Sequence, residues 1–224
     1  MNRKKTVCFL LLNMMISVVI YGQQKTNNAD FYSYWKQNNE KKITENSYKS
    51  HFGKQAENHI DSLISIGIDT IGAYTEAFPG YKSNDECDAG SNSPWVTYVQ
   101  WEKNGKAFQK EFTQSCRFKE KEIGIAMIIR YYINASLKIK KETLYPVITK
   151  IYRSKNGKIK NYDTSYIDHC AYYSIYCLIK RDAILKRFDE YQINEKTNVF
   201  YKQNMESAIN SWRNMINNQV KKDS

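Results

Sequence analysis

Three consecutive residues, Asp168-His169-Cys170, place an acid, an imidazole and a thiol together in the chain, and these are the parts from which a nucleophilic site is assembled. Their adjacency works against that use. In a strand, neighbouring side chains leave on opposite faces, and in a helix they diverge by about 100°, so the three converge only with partners from elsewhere. The chain has three histidines, His51, His59 and His169, in no recognised ligand spacing. His51 and His59 lie about two turns apart on an expected helix, too far to share an ion unaided, and read as surface or boundary residues. The run Asn84-Asp85-Glu86-Cys87-Asp88 offers oxygens to a cation, yet Trp95 stands where a calcium loop would place its closing glutamate. It reads as a solvated loop. The sequence holds no phosphate-cradling glycine loop, G-x-S-x-G elbow or zinc cysteine pair. No cofactor and no metal site is expected. The reading leans away from catalysis, and a small hydrolase using His169 with Asp168 is the enzymatic alternative.

The elements that would position any site are clearest between Trp95 and Cys116. Asn104-Gly105 tolerates the positive φ that a type I′ turn requires at both central positions, and it separates two runs rich in aromatic and β-branched residues. The turn predicts Trp101 opposite Phe108, Val99 opposite Lys110 and Thr97 opposite Phe112 on one apolar face, with Lys110 laying its stem along it. Tyr98, Gln100, Glu102, Gln109 and Glu111 fall on the other face, so the sheet is expected to be half-buried, with its polar side in water. Helix is expected from Tyr48 to Ile66, where Phe52, Ala56, Ile60, Leu63 and Ile64 recur at three- and four-residue steps, and Gly67 ends it. Thr70 to Pro94, with Gly72, Pro79, Gly80, Gly90 and Pro94, reads as loop. Lys119 to Asn134 suits helix better than strand. Asn156-Gly157 signals a second hairpin, and Tyr172–Ile179 with Ala183–Ile193 a third through a turn near Arg181-Asp182; a single helix from Ser165 to Phe188 is the rival reading. A last helix is expected from Asn198 to Val220 on the stripe Tyr201, Met205, Ala208, Ile209, Trp212, Met215 and Ile216. The sum is an α+β domain, an antiparallel sheet with helices before and after it.

Residues 1–22 read as a secretory leader: a basic start at Arg3-Lys4-Lys5, an apolar run from Thr6 to Ile20, and Gly22 before the cut. That run is shorter than a membrane-spanning helix, so the expected product is periplasmic or secreted, without an integral membrane segment. It comprises a helical segment, residues 23–67, and an α+β domain, 68–224, in one compact unit. The chain carries 34 Lys and Arg against 23 Asp and Glu. Losing the three basic residues of the leader leaves 31 against 23, a net charge of +8. Between Lys138 and Lys160 stand eight basic residues and one acid, Glu142. Lys150, Arg153, Lys155, Lys158 and Lys160, with Tyr152, are therefore the candidate binding residues. Such a patch draws an acidic protein partner or an anionic polymer, with affinity falling as salt rises. A toxin-neutralising, immunity-type role for this chain is one version of the acidic-partner reading, and binding of an anionic glycan or a lipid headgroup is the alternative. An exported protein meets nucleic acid less often than other polyanions.

After export four cysteines remain, Cys87, Cys116, Cys170 and Cys177, and disulfides can form in that compartment. Cys170 and Cys177 would lie about 10 Å apart along a helix and about 23 Å along a strand, beyond disulfide reach. Cys87 and Cys116 flank the central hairpin and could meet, or each could pair with one of the later two.

The pattern Tyr98, Trp101-Glu102-Lys103-Asn104-Gly105-Lys106, Phe108, Phe112, Cys116 and then Ile167-Asp168-His169 resembles a group of small bacterial proteins of unknown activity, some of them exported. The likeness spans Trp95 to Ile193. It implies that the hairpin, Cys116 and the Asp168-His169 pair belong to a shared scaffold, and it favours the hairpin reading of Tyr172 to Ile193. It carries no catalytic role.

Overall fold

The computed structural model describes residues 31, 43–80, 93–165 and 169–223, with side chains as far as Gln219. The chain forms two compact units, Met1–Lys42 with Ile151–Asn161, and Ile43–Lys150 with Tyr162–Ser224. Residues 1–42, over which a leader and a helical segment are expected from the sequence, lie outside the described residues, apart from Phe31.

The larger unit contains a six-stranded antiparallel sheet in the order β4-β3-β2-β1-β7-β8. Its strands are β1 (Thr70–Ala77), β2 (Trp95–Lys103), β3 (Lys106–Thr113), β4 (Lys121–Ile123), β7 (Tyr172–Ile179) and β8 (Asp182–Asp189). Helices α1 (Lys54–Ser65), α2 (Met127–Lys141), α3 (Glu190–Asn194), α4 (Tyr201–Met205) and α5 (Ala208–Asp223) complete the α+β architecture. Strands β5 (Ile148–Arg153) and β6 (Ile159–Thr164) form a separate two-stranded sheet.

Asn104 and Gly105 both adopt positive φ, 51° and 75°, as the type I′ turn demands. Register follows from the turn. Trp101 pairs with Phe108, Val99 with Lys110 and Thr97 with Phe112, as expected. The β7–β8 hairpin also forms, turning at Lys180-Arg181 with Lys180 at φ 52°, and this excludes the single-helix alternative.

Three expectations are corrected. Thr70–Ala77 is not loop but the central strand, paired with β2 on one side and β7 on the other. Gly72, read as a breaker, is instead where helix α2 presses on the sheet: a Cβ there would lie 2.7 Å from Ile128 Cγ2. Nor is the sheet half-buried. Gln100 and Gln109 are 1% and 2% exposed, because α2 and α5 cover the face that was expected to meet water. Gln100 Nε2 donates to Gln109 Oε1 (2.8 Å), and its Oε1 accepts from Ile128 N (3.0 Å), so the pair satisfies an amide at the start of α2. Finally, the last helix breaks in two at Glu206-Ser207. Ser207 Oγ accepts from Asn210 N (3.0 Å), capping α5 where a continuous helix was read.

Each sheet face thus has its own core. One holds Tyr74, Ile128, Ile129, Tyr132, Ile175, Phe188, Ile209, Trp212 and Ile216, and Trp212 Nε1 donates to Ile128 O (3.0 Å). The other, beneath α1, holds Phe52, Ala56, Ile60, Leu63, Val99, Trp101, Phe112 and Tyr176. Each fully buried side chain of this size contributes about 1.5–3 kcal/mol. Among the described residues no helix is long and apolar enough to cross a membrane.

Gly72→Ala is expected to lower unfolding free energy by about 1–3 kcal/mol, because Ile128 and its helix must shift to admit the methyl group. A urea midpoint equal to that of the wild type would show that the helix has room to move.

Candidate functional site

The basic segment folds as the β5–β6 hairpin. Gly157 N donates to Ser154 O (2.9 Å), Ser154 N donates to Lys158 O (2.8 Å), and Gly157 has φ 79°. This is a three-residue connection, Lys155-Asn156-Gly157, with glycine in the left-handed position that closes such a turn. Ser154 Oγ bonds Asn156 Oδ1 and the Lys158 carbonyl, stiffening the tip. With Ser154 opposite Lys158, Tyr152 stands opposite Lys160, so Tyr152, Lys158 and Lys160 share one face of the ribbon. All three are exposed, Tyr152 at 38%, and Lys155 is exposed at the tip. Lys150, in the larger unit, is also exposed. Arg153 points the other way: its Nη1 donates to Gly157 O (2.8 Å), and it is half-buried. Its guanidinium braces the turn from the opposite face.

In the larger unit, the start of β5 is held by buried amides that the sequence reading did not single out. Ile148 N donates to Asn198 Oδ1 (3.2 Å), and Ile148 O accepts from Val199 N (2.9 Å). Asn204, fully buried, accepts from Tyr145 N (3.0 Å) and donates to Tyr145 O (2.9 Å) and Gln192 O (2.8 Å). Gln192 in turn closes a capping box with Asp189 at α3, and Tyr145 stacks on Phe200 with ring centroids 4.2 Å apart. Asparagines off the apolar stripe of an expected helix were the only available signal.

The candidate catalytic residues are not brought into a described site. Asp168 lies outside the described residues. His169 is exposed, with its ring against Gly80. Cys170 is buried, and burial raises its thiol pKa. Among the described residues no group of three or more His, Cys, Asp or Glu is placed to hold a metal ion. The acidic run Asn84–Asp88 lies outside the described residues.

Cys116 is disulfide-bonded, whereas Cys170 and Cys177 are free. Neither of the later cysteines is therefore the partner of Cys116. Cys177 sits in the middle of β7 with no exposure, and burial pushes its thiol far above the ordinary range. Cys87, the remaining candidate from the sequence, lies outside the described residues.

Comparison with protein-family models, curated proteins and solved structures finds no match to this chain.

Two outcomes follow from these positions. Asn204→Ala should destabilise the larger unit by about 1–3 kcal/mol in chemical denaturation, since it removes the acceptor of the Tyr145 amide and leaves the Tyr145 and Gln192 carbonyls with only Gln192 Nε2 and Asn198 Nδ2 as donors; a cost near zero would mean that the Tyr145 amide is satisfied by another group. In the native protein, Cys170 and Cys177 should resist iodoacetamide and react on denaturation without reductant, while Cys116 should react only after reduction. Rapid native alkylation of Cys177 would contradict its burial.

Proposed function

We propose that this chain is an exported, non-catalytic binding protein that engages an acidic protein partner through the β5–β6 hairpin. The observation that supports it best is the common face of Tyr152, Lys158 and Lys160, with Lys155 at the tip, on a stiffened turn. An ammonium row flanking an exposed phenol suits a surface of carboxylates. The lysines supply long-range attraction and the ring supplies contact area at small entropic cost. Arg153 serves the reading indirectly, by fixing the turn that presents the lysines. Export, read from residues 1–22, would place the hairpin where a toxin-like or other acidic protein could be met.

The test is partner capture with Lys150, Arg153, Lys155, Lys158 and Lys160 all replaced by Ala. Retention on immobilised poly-glutamate, and association with the partner recovered from the source organism, should both fall at least tenfold. Undiminished association would reject the reading. Attraction should also weaken as ionic strength rises through 0.1–0.5 M, where the screening length drops below about 10 Å. Stronger retention on heparin-like resin or on anionic vesicles than on poly-glutamate would move the assignment to a glycan or a lipid headgroup.

A further inference from the structure

Helix α1 covers the aromatic face of the sheet, and one residue at that junction is not apolar. The ring of His59 lies 5.0 Å from that of Trp101, nearly edge-on at 70°, and 5.4 Å from that of Phe112. Ala56, Ile60 and Leu63, its neighbours on the same helix face, are buried. The imidazole Nε2 is buried and has no hydrogen-bond partner. A neutral ring fits this place, whereas an imidazolium there would have two N–H donors and no acceptor for one of them.

The charges around it make matters worse for a cation. From β3, Lys110 reaches over the Phe112 ring, its Nζ 5.5 Å from the centroid. From the connection after β3, Arg117 Nε donates to Gln55 Oε1 (2.8 Å), one turn along α1 from His59. β2 presents the uncharged Trp101. The carboxylates of α1 are engaged elsewhere: Glu57 Oε1 accepts from His51 N (2.9 Å) and Phe52 N (3.3 Å), and Asp61 accepts from Tyr48 Oη and pairs with Lys49 (3.6 Å). No carboxylate among these offsets a proton on His59.

We propose that His59 is an acid-sensitive latch, whose protonation drives helix α1 off the sheet and uncovers the face that carries Trp101 and Phe112. Burial, and then Lys110, hold its pKa down to about 4, against 6.5 for a solvated imidazole. The docked helix therefore excludes the proton and the released helix binds it. Docking is at full strength above about pH 6.5, weakens steadily as pH falls toward 4, and loses nothing more below that. Once undocked, a twelve-residue helix with no side-chain N-cap cannot persist in water, so release and unwinding coincide.

Amide exchange in the full chain at pH 7 and pH 5, corrected for intrinsic rates, tests this. Opening of α1 should become about tenfold or more easier at pH 5, while β1 and β7 keep their protection. His59→Phe, which retains ring contacts without a titrating group, should abolish the difference. Equal α1 protection at the two pH values, or a difference that survives His59→Phe, would overturn the latch. Should that variant fail to fold, the His59 ring resonance of the wild type decides the question: titration near 5 or below supports the proposal, and titration near 6.5 ends it.

Discussion

A strand with both neighbours and both faces occupied leaves no room for error in side-chain volume, and β1 is such a strand. Its pairing to β2 and β7 joins two hairpins that would otherwise be independent ribbons. On one face Ile71 and Ala73 share a core with α1, and on the other Gly72 leaves open the space that Ile128 fills, where a Cβ would lie 2.7 Å from its Cγ2. The absence of a side chain at one position sets how closely α2 lies on the sheet. That in turn sets where the Gln100 and Gln109 amides meet the first turn of α2 and where Trp212 finds its carbonyl.

How much of this was legible depended on whether a local signal agreed with the tertiary outcome. The Asn104-Gly105 turn specified strand pairing residue by residue, since the conformation it needs is accessible to few dipeptides. The β7–β8 hairpin was legible from the strong β-propensity of Tyr172 to Ile179. β1 was missed because Gly72, Pro79 and Gly80 around a short apolar run resemble a loop, and only the close approach of another helix explains a glycine there. The Gln100-Gln109 pair was misread for a related reason. Glutamines on one face suggest water until an amide from elsewhere donates to one of them, and for Gln100 that donor is 28 residues away in sequence. The break before α5 depends on a serine that reads equally well as an ordinary helix residue.

The candidate hairpin shows the same division. Basic clustering was visible as composition, but the assignment of sides was not. Arg153 and Lys160 look equivalent in the sequence, yet a three-residue turn aims one guanidinium at its own backbone and leaves the other residue's ammonium outward. His59 could have been found: it stands three residues after Ala56 and four before Leu63, on the apolar stripe itself, and the stripe was read without it.

Segregation of the aromatic residues by sheet face has an optical consequence. Trp95 and Trp101 belong to the α1 side, Trp95 lying against Gly53, while Trp212 is sealed on the α2 and α5 side; Trp35 lies outside the described residues. The indole emission of this molecule is therefore a composite of reporters in separate compartments. A partial melt confined to one of them would distort a fluorescence trace without moving far-ultraviolet dichroism in step.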